Sequence, residues 1–238
     1  MSNPEITAII PVFNDRASLE TALPVSIEVL DAITPRFEII VAEDGSSDGS
    51  ADLVREFSAR DARVQLLHSD TRLGRGKALN RAITRAQGEI VCYYDVDLAT
   101  NMQHVRELVL ALRNGADIAT GSRLLPASDT VRTGGREIAS RSYNFLVRLL
   151  LGSRIYDHQC GFKGFRRERI LPLLEKIRSD HWFWDTEILV RAQLRGYAVY
   201  EFPVHWRAGK GTTVRLKDIF SMGSSILRLW WQVHVSED

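Results

Sequence analysis

FEIIVAEDGSSDGS, residues 37–50, decides how this chain folds. An apolar run of strand length stops abruptly in acids, glycines and serines, and a helical stretch follows through Phe57. A strand buried on both faces reads as a short continuous apolar run, whereas a half-exposed one alternates. Ser47 or Asp48 is placed to cap the helix. The stretch therefore reads as strand, polar turn and helix, the unit from which parallel sheets are built.

Working outward, the unit repeats. EITAIIPV (5–12) is a β-branched strand run, and residues 16–30 read as its helix. RVQLLH (63–68) is a third strand, followed by a helix in GRGKALNRAITRA (74–86). EIVCYYD (89–95) is a fourth, and Val105, Leu108, Val109 and Leu112 then form one helical face. DIATGSR (117–123) closes the series. Strands alternating with helices predict an α/β fold with a mostly parallel sheet flanked by helices and right-handed crossovers. Such sheets bind ligands beyond the carboxyl ends of their strands, near a switch in strand order. Asn14, Asp15, Glu43, Asp44, Asp95, Asp97 and Arg123 all follow apolar strands there.

Past Arg123 the pattern changes. Residues 124–135 read as a loop, 136–151 as a helix, CGFKGFR (160–166) as a strand, DTEILVRAQLR (185–195) as a helix and YAVYEFPVHW (197–206) as one strand. Residues 216–233 carry Ile219, Met222, Ile226, Leu229, Trp230 and Val233 near one helical face. No repeat or linker interrupts the chain. One domain over residues 1–238 is expected, with a ligand-binding half (1–123), a second half (124–215) and an amphipathic terminal helix (216–238).

Composition narrows the classes. With 31 basic and 30 acidic side chains, the net charge of +1 gives no reason to expect nucleic acid as a partner. Two cysteines, Cys92 and Cys160, suit a reducing compartment rather than a disulfide scaffold. MSNPEITAIIPVF lacks a basic segment followed by a signal-type apolar run and is expected to be a strand, and no apolar run in the sequence approaches the roughly 20 residues that cross a bilayer. The six histidines show no metal-ligand spacing.

The sharpest chemical feature is Asp95-Val96-Asp97 at the end of an apolar strand. Carboxylates at i and i+2 of a strand point the same way, so both can reach one cation. Mg²⁺ takes one or two protein carboxylates and completes its shell with water and substrate phosphate. Two acids in a loop are more often merely solvated, and Asp44 and Asp48 also suit turns and caps. Position is what lifts the Asp95–Asp97 pair above that reading.

IIPVFND, VAEDGSSDGS, GRGKALNRAI, the D-V-D and QCGFKGF, in this order from Ile6 to about Trp206, resemble family 2 glycosyltransferases of the GT-A fold. The dolichyl- and polyprenyl-phosphate sugar synthases are the most similar branch. The resemblance implies a UDP- or GDP-hexose donor, Mg²⁺ or Mn²⁺, inversion at the anomeric carbon and a polyprenyl-phosphate acceptor. It assigns Pro11, Phe13 and Asp15 to the nucleotide pocket, Glu43 and Asp44 to base or ribose, and Asp95, Val96 and Asp97 to metal and sugar diphosphate. Lys77, early in a helix, suits phosphate. Arg123, Arg136, Ser140 and Arg207 are implied for the acceptor phosphate, a task that suits the planar guanidinium fork. Asp157 and Asp185 are implied on the acceptor side and join Asp97 as candidate catalytic residues.

Two departures qualify the resemblance. Mannosyl synthases commonly carry Gln where this chain has Ala99, so D-V-D-L-A-T is more similar to glucosyl-type relatives. The family's basic lid ending in Gly-Ser-Lys is replaced by RAGKGTTVR, which leaves Arg207, Lys210 and Arg215 as stand-ins. FLVRLLLG and the tail with Lys217, Arg228, Trp230 and Trp231 are amphipathic enough for a membrane interface, and the expected location is the cytoplasmic membrane face. The nearest rival is a family member acting on a hydroxyl, which would need a carboxylate or histidine base. A nucleotidyltransferase would carry a glycine-rich loop directly after the first strand, and IIPVFND has none. A non-catalytic nucleotide-sugar-binding module is the remaining class.

Overall fold

A computed structural model describes residues 3–131, 134–207 and 216–235, with the side chains of residues 134, 136 and 216–222 outside that description. In chain order the elements are β1 (Ile6–Val12), α1 (Arg16–Asp31), β2 (Phe37–Glu43), α2 (Ser50–Arg60), β3 (Val64–Leu67), α3 (Arg75–Arg85), β4 (Ile90–Tyr94) and α4 (His104–Arg113). There follow β5 (Ile118–Ser122), β6 (Asp129–Val131), α5 (Gly134–Leu151), β7 (Phe162–Arg166), α6 (Arg167–Leu174), α7 (Trp184–Leu194), β8 (Val199–Pro203), β9 (His205–Arg207) and α8 (Leu216–His234).

Seven strands form one sheet in the order β3-β2-β1-β4-β7-β5-β8. All neighbouring pairs are parallel except those made by β7, which runs antiparallel to β4 and β5. β2 is buried along its whole length, as its unbroken apolar run predicts. Its one charge in the strand interior, Glu38, accepts from Thr7 Oγ1 at 2.6 Å, Gln87 N at 2.7 Å and Gln65 Nε2 at 2.9 Å. On one face Leu19, Leu23, Leu53, Val54 and the expected stripe Val105, Leu108, Val109 and Leu112 pack on the sheet. Leu79, Ile83, Ile170, Trp184 and Ile188 cover the other. A smaller cluster of Val147, Leu151, Phe183, Val190, Ile226 and Leu229 joins α5, α7 and α8.

The strand order reverses at β1, with β2 on one side and β4 on the other, so the crevice lies between the carboxyl ends of β1 and β4. β7 and β8 come from the second half of the sequence yet complete the same sheet. Gly164 makes β7's insertion possible: a Cβ there would lie 2.3 Å from Leu108 Cδ2 of the covering helix.

Some expectations need correcting. The stretch 124–135 holds β6, which pairs in parallel with β9. The run 197–206 is two strands, divided after Pro203 at the sheet edge, where a residue without an N–H is tolerated. α6 follows β7 without a break, a short helix carrying Pro172 that the sequence reading missed. Gly49 caps α2, while Asp48 accepts from Ser50 N at 3.0 Å and Arg16 N at 2.8 Å, tying α2 to α1.

Candidate active site

β1 and β4 deliver the first acids. Asp15 follows β1 and caps α1, its Oδ1 accepting from Ser18 N at 3.3 Å. Asp95 follows β4, and Asp97 accepts from Ala99 N at 3.1 Å. The two carboxylates sit in a turn rather than on the strand: Leu98 N donates to Asp95 O at 3.1 Å, and Leu98 has φ 48°. Asp95 reaches across to the residue just before β7, where a Cβ on Gly161 would fall 1.9 Å from Asp95 Oδ2. Only glycine leaves that approach open. Burial lifts the Asp97 carboxyl above the usual range, and the charges of Asp95 and Asp15 push the same way.

β2 and the loop before α3 form the next wall. Asp44 is buried, and both its oxygens take backbone amides, Leu73 N at 2.8 Å and Gly74 N at 2.9 Å. Glu43 is buried too, accepting from Ser46 N and lying against His68 Nδ1. Both acids thus shape the crevice wall. Phe13 lies under the Arg72 guanidinium, 3.9 Å from ring centroid to Cζ. Pro11 sits in β1 opposite Ala42, and Val96 packs on the core edge.

Lys77 does not head an open helix terminus. Gly76 N donates to Asp180 O at 2.8 Å, and Lys77 Nζ pairs with Asp180 Oδ2 at 2.9 Å. The segment before α7 therefore covers the start of α3, and Glu187 anchors that segment through Ser179 N at 3.0 Å and Ser179 Oγ at 2.6 Å.

The inner acids are locked. Asp157 is fully buried and forms a two-point pair with Arg123, Nε to Oδ2 at 2.7 Å and Nη2 to Oδ1 at 2.9 Å. Arg123 also lies over Trp206, 5.7 Å from its ring centroid. Asp185 takes Arg75 Nη1 at 2.6 Å, Lys163 Nζ at 3.1 Å and the Tyr93 hydroxyl. Burial alone would raise the Asp185 pKa, but the charges of Arg75 and Lys163 prevail and hold it below the usual carboxylate range. Arg75 reaches back to Asp95 Oδ1 at 2.9 Å, so one guanidinium joins the inner and outer acids. Arg75 and Lys163 were not among the residues picked from sequence. Arg75 lies two positions before Lys77, and positions two apart on a helix face different ways. Lys163 lies in QCGFKGF, and a lysine inside a buried strand is itself a signal, since lysine is seldom buried unpaired.

Of the residues that the resemblance implies for an acceptor phosphate, Ser140 has its Oγ buried in α5 with no hydrogen-bond partner among the described residues. Arg136 lies in the same helix with its side chain outside the described ones, and Lys210 and Arg215 are likewise outside the described residues. Arg207 is exposed and pairs with Asp129 across β6 and β9 at 2.5 Å.

No three acidic, histidine or cysteine side chains among the described residues converge as a metal cage. Two carboxylates, one pushed toward its neutral form by burial and then by like charge, fit a hard divalent ion that takes its other ligands from a diphosphate and water. Among the described residues, no helix is long and apolar enough to cross a membrane.

The profile described as glycosyl transferase family 2 matches residues 7–171. A glycosyltransferase of Haloferax volcanii, AglD, is 47% identical over 235 residues, which are 97% of this chain and 38% of that protein. A dolichyl-phosphate β-glucosyltransferase of Trichomonas vaginalis is 28% identical, over 94% of this chain and 70% of its own. Glucosyl-3-phosphoglycerate synthase of Mycobacterium tuberculosis, crystallised with Mn²⁺, UDP and glucosyl-3-phosphoglycerate, superposes with a TM-score of 0.68 at 20% identity, covering 96% of this chain and 79% of the synthase. The chain thus spans well under half of the Haloferax relative.

Proposed function

The chain belongs to glycosyl transferase family 2, and from that premise we propose that it transfers a hexose, with inversion, from a UDP- or GDP-sugar to a polyprenyl phosphate. The observation that carries the acceptor class is the state of Asp157 and Asp185. A hydroxyl acceptor needs a base, and both candidates are buried in ion pairs, Asp185 with its pKa held down. A phosphate monoester needs none, because its second pKa of about 6 leaves it mostly a dianion at neutral pH.

In this reaction an acceptor phosphate oxygen bonds to the anomeric carbon as the bond from that carbon to the donor diphosphate breaks. The electron pair leaves on the nucleoside diphosphate, and no proton moves. The protein's work is alignment and charge neutralisation. Asp95 and Asp97 would hold Mg²⁺ or Mn²⁺, which supplies positive charge to the departing diphosphate. Pro11, Phe13, Asp15 and the wall set by Glu43 and Asp44 would frame the nucleotide, with Lys77 at its edge. Arg123, Arg136, Ser140 and Arg207 are assigned to the acceptor phosphate, and the Ser140 hydroxyl, without a partner among the described residues, would donate to it.

A polyprenyl tail requires a lipid surface. Phe145, Leu149, Leu227 and Trp231 are all more than half exposed on α5 and α8, which supports docking of this helix pair at the cytoplasmic membrane face. Ala99 in D-V-D-L-A-T favours glucose over mannose.

The test is turnover of a panel of nucleotide sugars with Mg²⁺ or Mn²⁺, with and without a short polyprenyl phosphate. Release of nucleoside diphosphate only when lipid phosphate is present is expected. Release driven equally by a sugar or glycerol hydroxyl would move the acceptor to the hydroxyl class.

A further inference from the structure

Arg75 is the most elaborately held side chain that the proposed reaction leaves without a role. Its guanidinium lies between two rings, with Cζ 5.3 Å from the centroid of Tyr93 and 5.5 Å from that of Trp182. Nη1 is fixed on Asp185 at 2.6 Å, and Asp185 is fixed in turn by the buried Lys163. Nη2 then falls on Asp95 Oδ1 at 2.9 Å. The other oxygen of Asp95 faces Gly161 so closely that even a Cβ there would meet it at 1.9 Å. One oxygen of the outer acid is thus paired with a permanent cation, and the other lies beside the Gly161 backbone with the carboxylate still 43% exposed.

We propose that Arg75 is a positioning residue that keeps Asp95 partly neutralised, so that the chain binds the divalent cation weakly by itself and takes it up together with the nucleoside diphosphate. This rests on the assignment of Asp95 and Asp97 as cation ligands. The physical argument is competition. A free cation must displace, or share an oxygen with, a guanidinium held in place by Asp185 and two rings. It meets only two protein carboxylates, too few to outweigh that exchange. A cation already carried on a diphosphate brings two more charged oxygens. The anionic diphosphate also gives Nη2 an acceptor of its own, so that leaving Asp95 no longer strands a largely buried donor. Arg75 thereby couples cation binding to donor binding without touching the reacting carbon.

The experiment is direct binding of Mn²⁺, by electron paramagnetic resonance of the free ion, to the whole chain without nucleotide and with saturating UDP, then GDP. For the unaltered chain, weak binding alone and much tighter binding with one of the two nucleotides are expected. Arg75→Gln should bind free Mn²⁺ on the order of tenfold more tightly, the size of one charge-assisted bond removed from Asp95. Its gain from nucleotide should shrink correspondingly. Arg75→Lys, which keeps the charge but loses the fork, should fall between the two. That series remains readable if the Gln variant folds poorly, because a cation is still present to partner Asp185. Free-Mn²⁺ affinity that is unchanged or weaker in both variants, with thermal unfolding intact, would overturn the inference while leaving the metal assignment standing. Asp97→Asn separates the two failures: if it still binds Mn²⁺ with nucleotide as the unaltered chain does, the underlying assignment is wrong.

Discussion

The outer and inner acids of the crevice differ in how their charge is balanced. Asp15, Asp95 and Asp97 stand together at the ends of β1 and β4, and Arg75 is the cation paired with Asp95 there. Asp157 and Asp185 lie a layer deeper, each matched by arginine or lysine at hydrogen-bond distance. The outer group carries surplus negative charge, which a cation carried on a diphosphate can balance. The inner group is complete as it stands and serves as the frame. Acids left uncompensated are therefore a better guide to chemistry than acids that are merely buried.

The largest test of this contrast is Asp97→Asn. Losing one of the two proposed cation ligands should lower kcat/KM by on the order of 10³-fold, about 4 kcal/mol of transition-state stabilisation, while circular dichroism stays unchanged. Retained activity would place the metal elsewhere. Asp157→Asn should do the reverse and act first on stability. It leaves the largely buried Arg123 guanidinium without its counter-charge, costing about 3 kcal/mol in urea unfolding. A variant that is fully stable yet inactive would instead put Asp157 among the reacting groups and erase the distinction between the layers.

The same layering explains what could be read from residues alone. The first half is built from consecutive strand–helix units whose apolar periods are local, so β1 to β5 and the stripe on α4 were legible to within a residue or two. The outer acids were legible because strand ends are visible in sequence. The antiparallel insertion of β7 was not, since nothing local distinguishes a strand that pairs with β4 from one that runs beside it. The ion-pair partners were hidden for the same reason: Arg75 and Asp185 meet across 110 residues. The contact between Asp180 and the start of α3 likewise turned an open helix terminus into a covered one.

A pH titration probes the frame next. His158 is buried, with Nδ1 2.7 Å from Asn144 Oδ1 and Nε2 2.7 Å from Ser153 Oγ, and burial pushes its pKa down from 6.5 to about 3. The unfolded chain therefore takes up this proton before the folded one. Its contribution is fully present above pH 6.5 and is lost as pH falls toward 3, the loss reaching about 2 kcal/mol at pH 5. His158→Gln should lower stability at neutral pH but flatten its dependence between pH 6.5 and 4. An unchanged slope would mean that His158 is protonated in the folded chain.

The smallest effect returns to Asp97, with the sign opposite to the first. Its folded pKa is raised above the ordinary 3.8, chiefly by burial and then by Asp95 and Asp15. For a carboxyl shifted in that direction the unfolded chain loses the proton first. The charged group therefore costs stability that sets in as pH climbs from 3.8 through the raised value, and the cost is complete above it. Without divalent cation at pH 7, Asp97→Asn should accordingly be slightly more stable than the unaltered chain, by under about 1 kcal/mol given its partial exposure. Adding Mn²⁺ with nucleotide should reverse the ranking, because binding stabilises only the chain that retains both carboxylates. Thermal unfolding of both proteins with and without that pair reads the reversal directly. A variant less stable than the unaltered chain under both conditions would show that Asp97 belongs to the frame and not to the uncompensated rim.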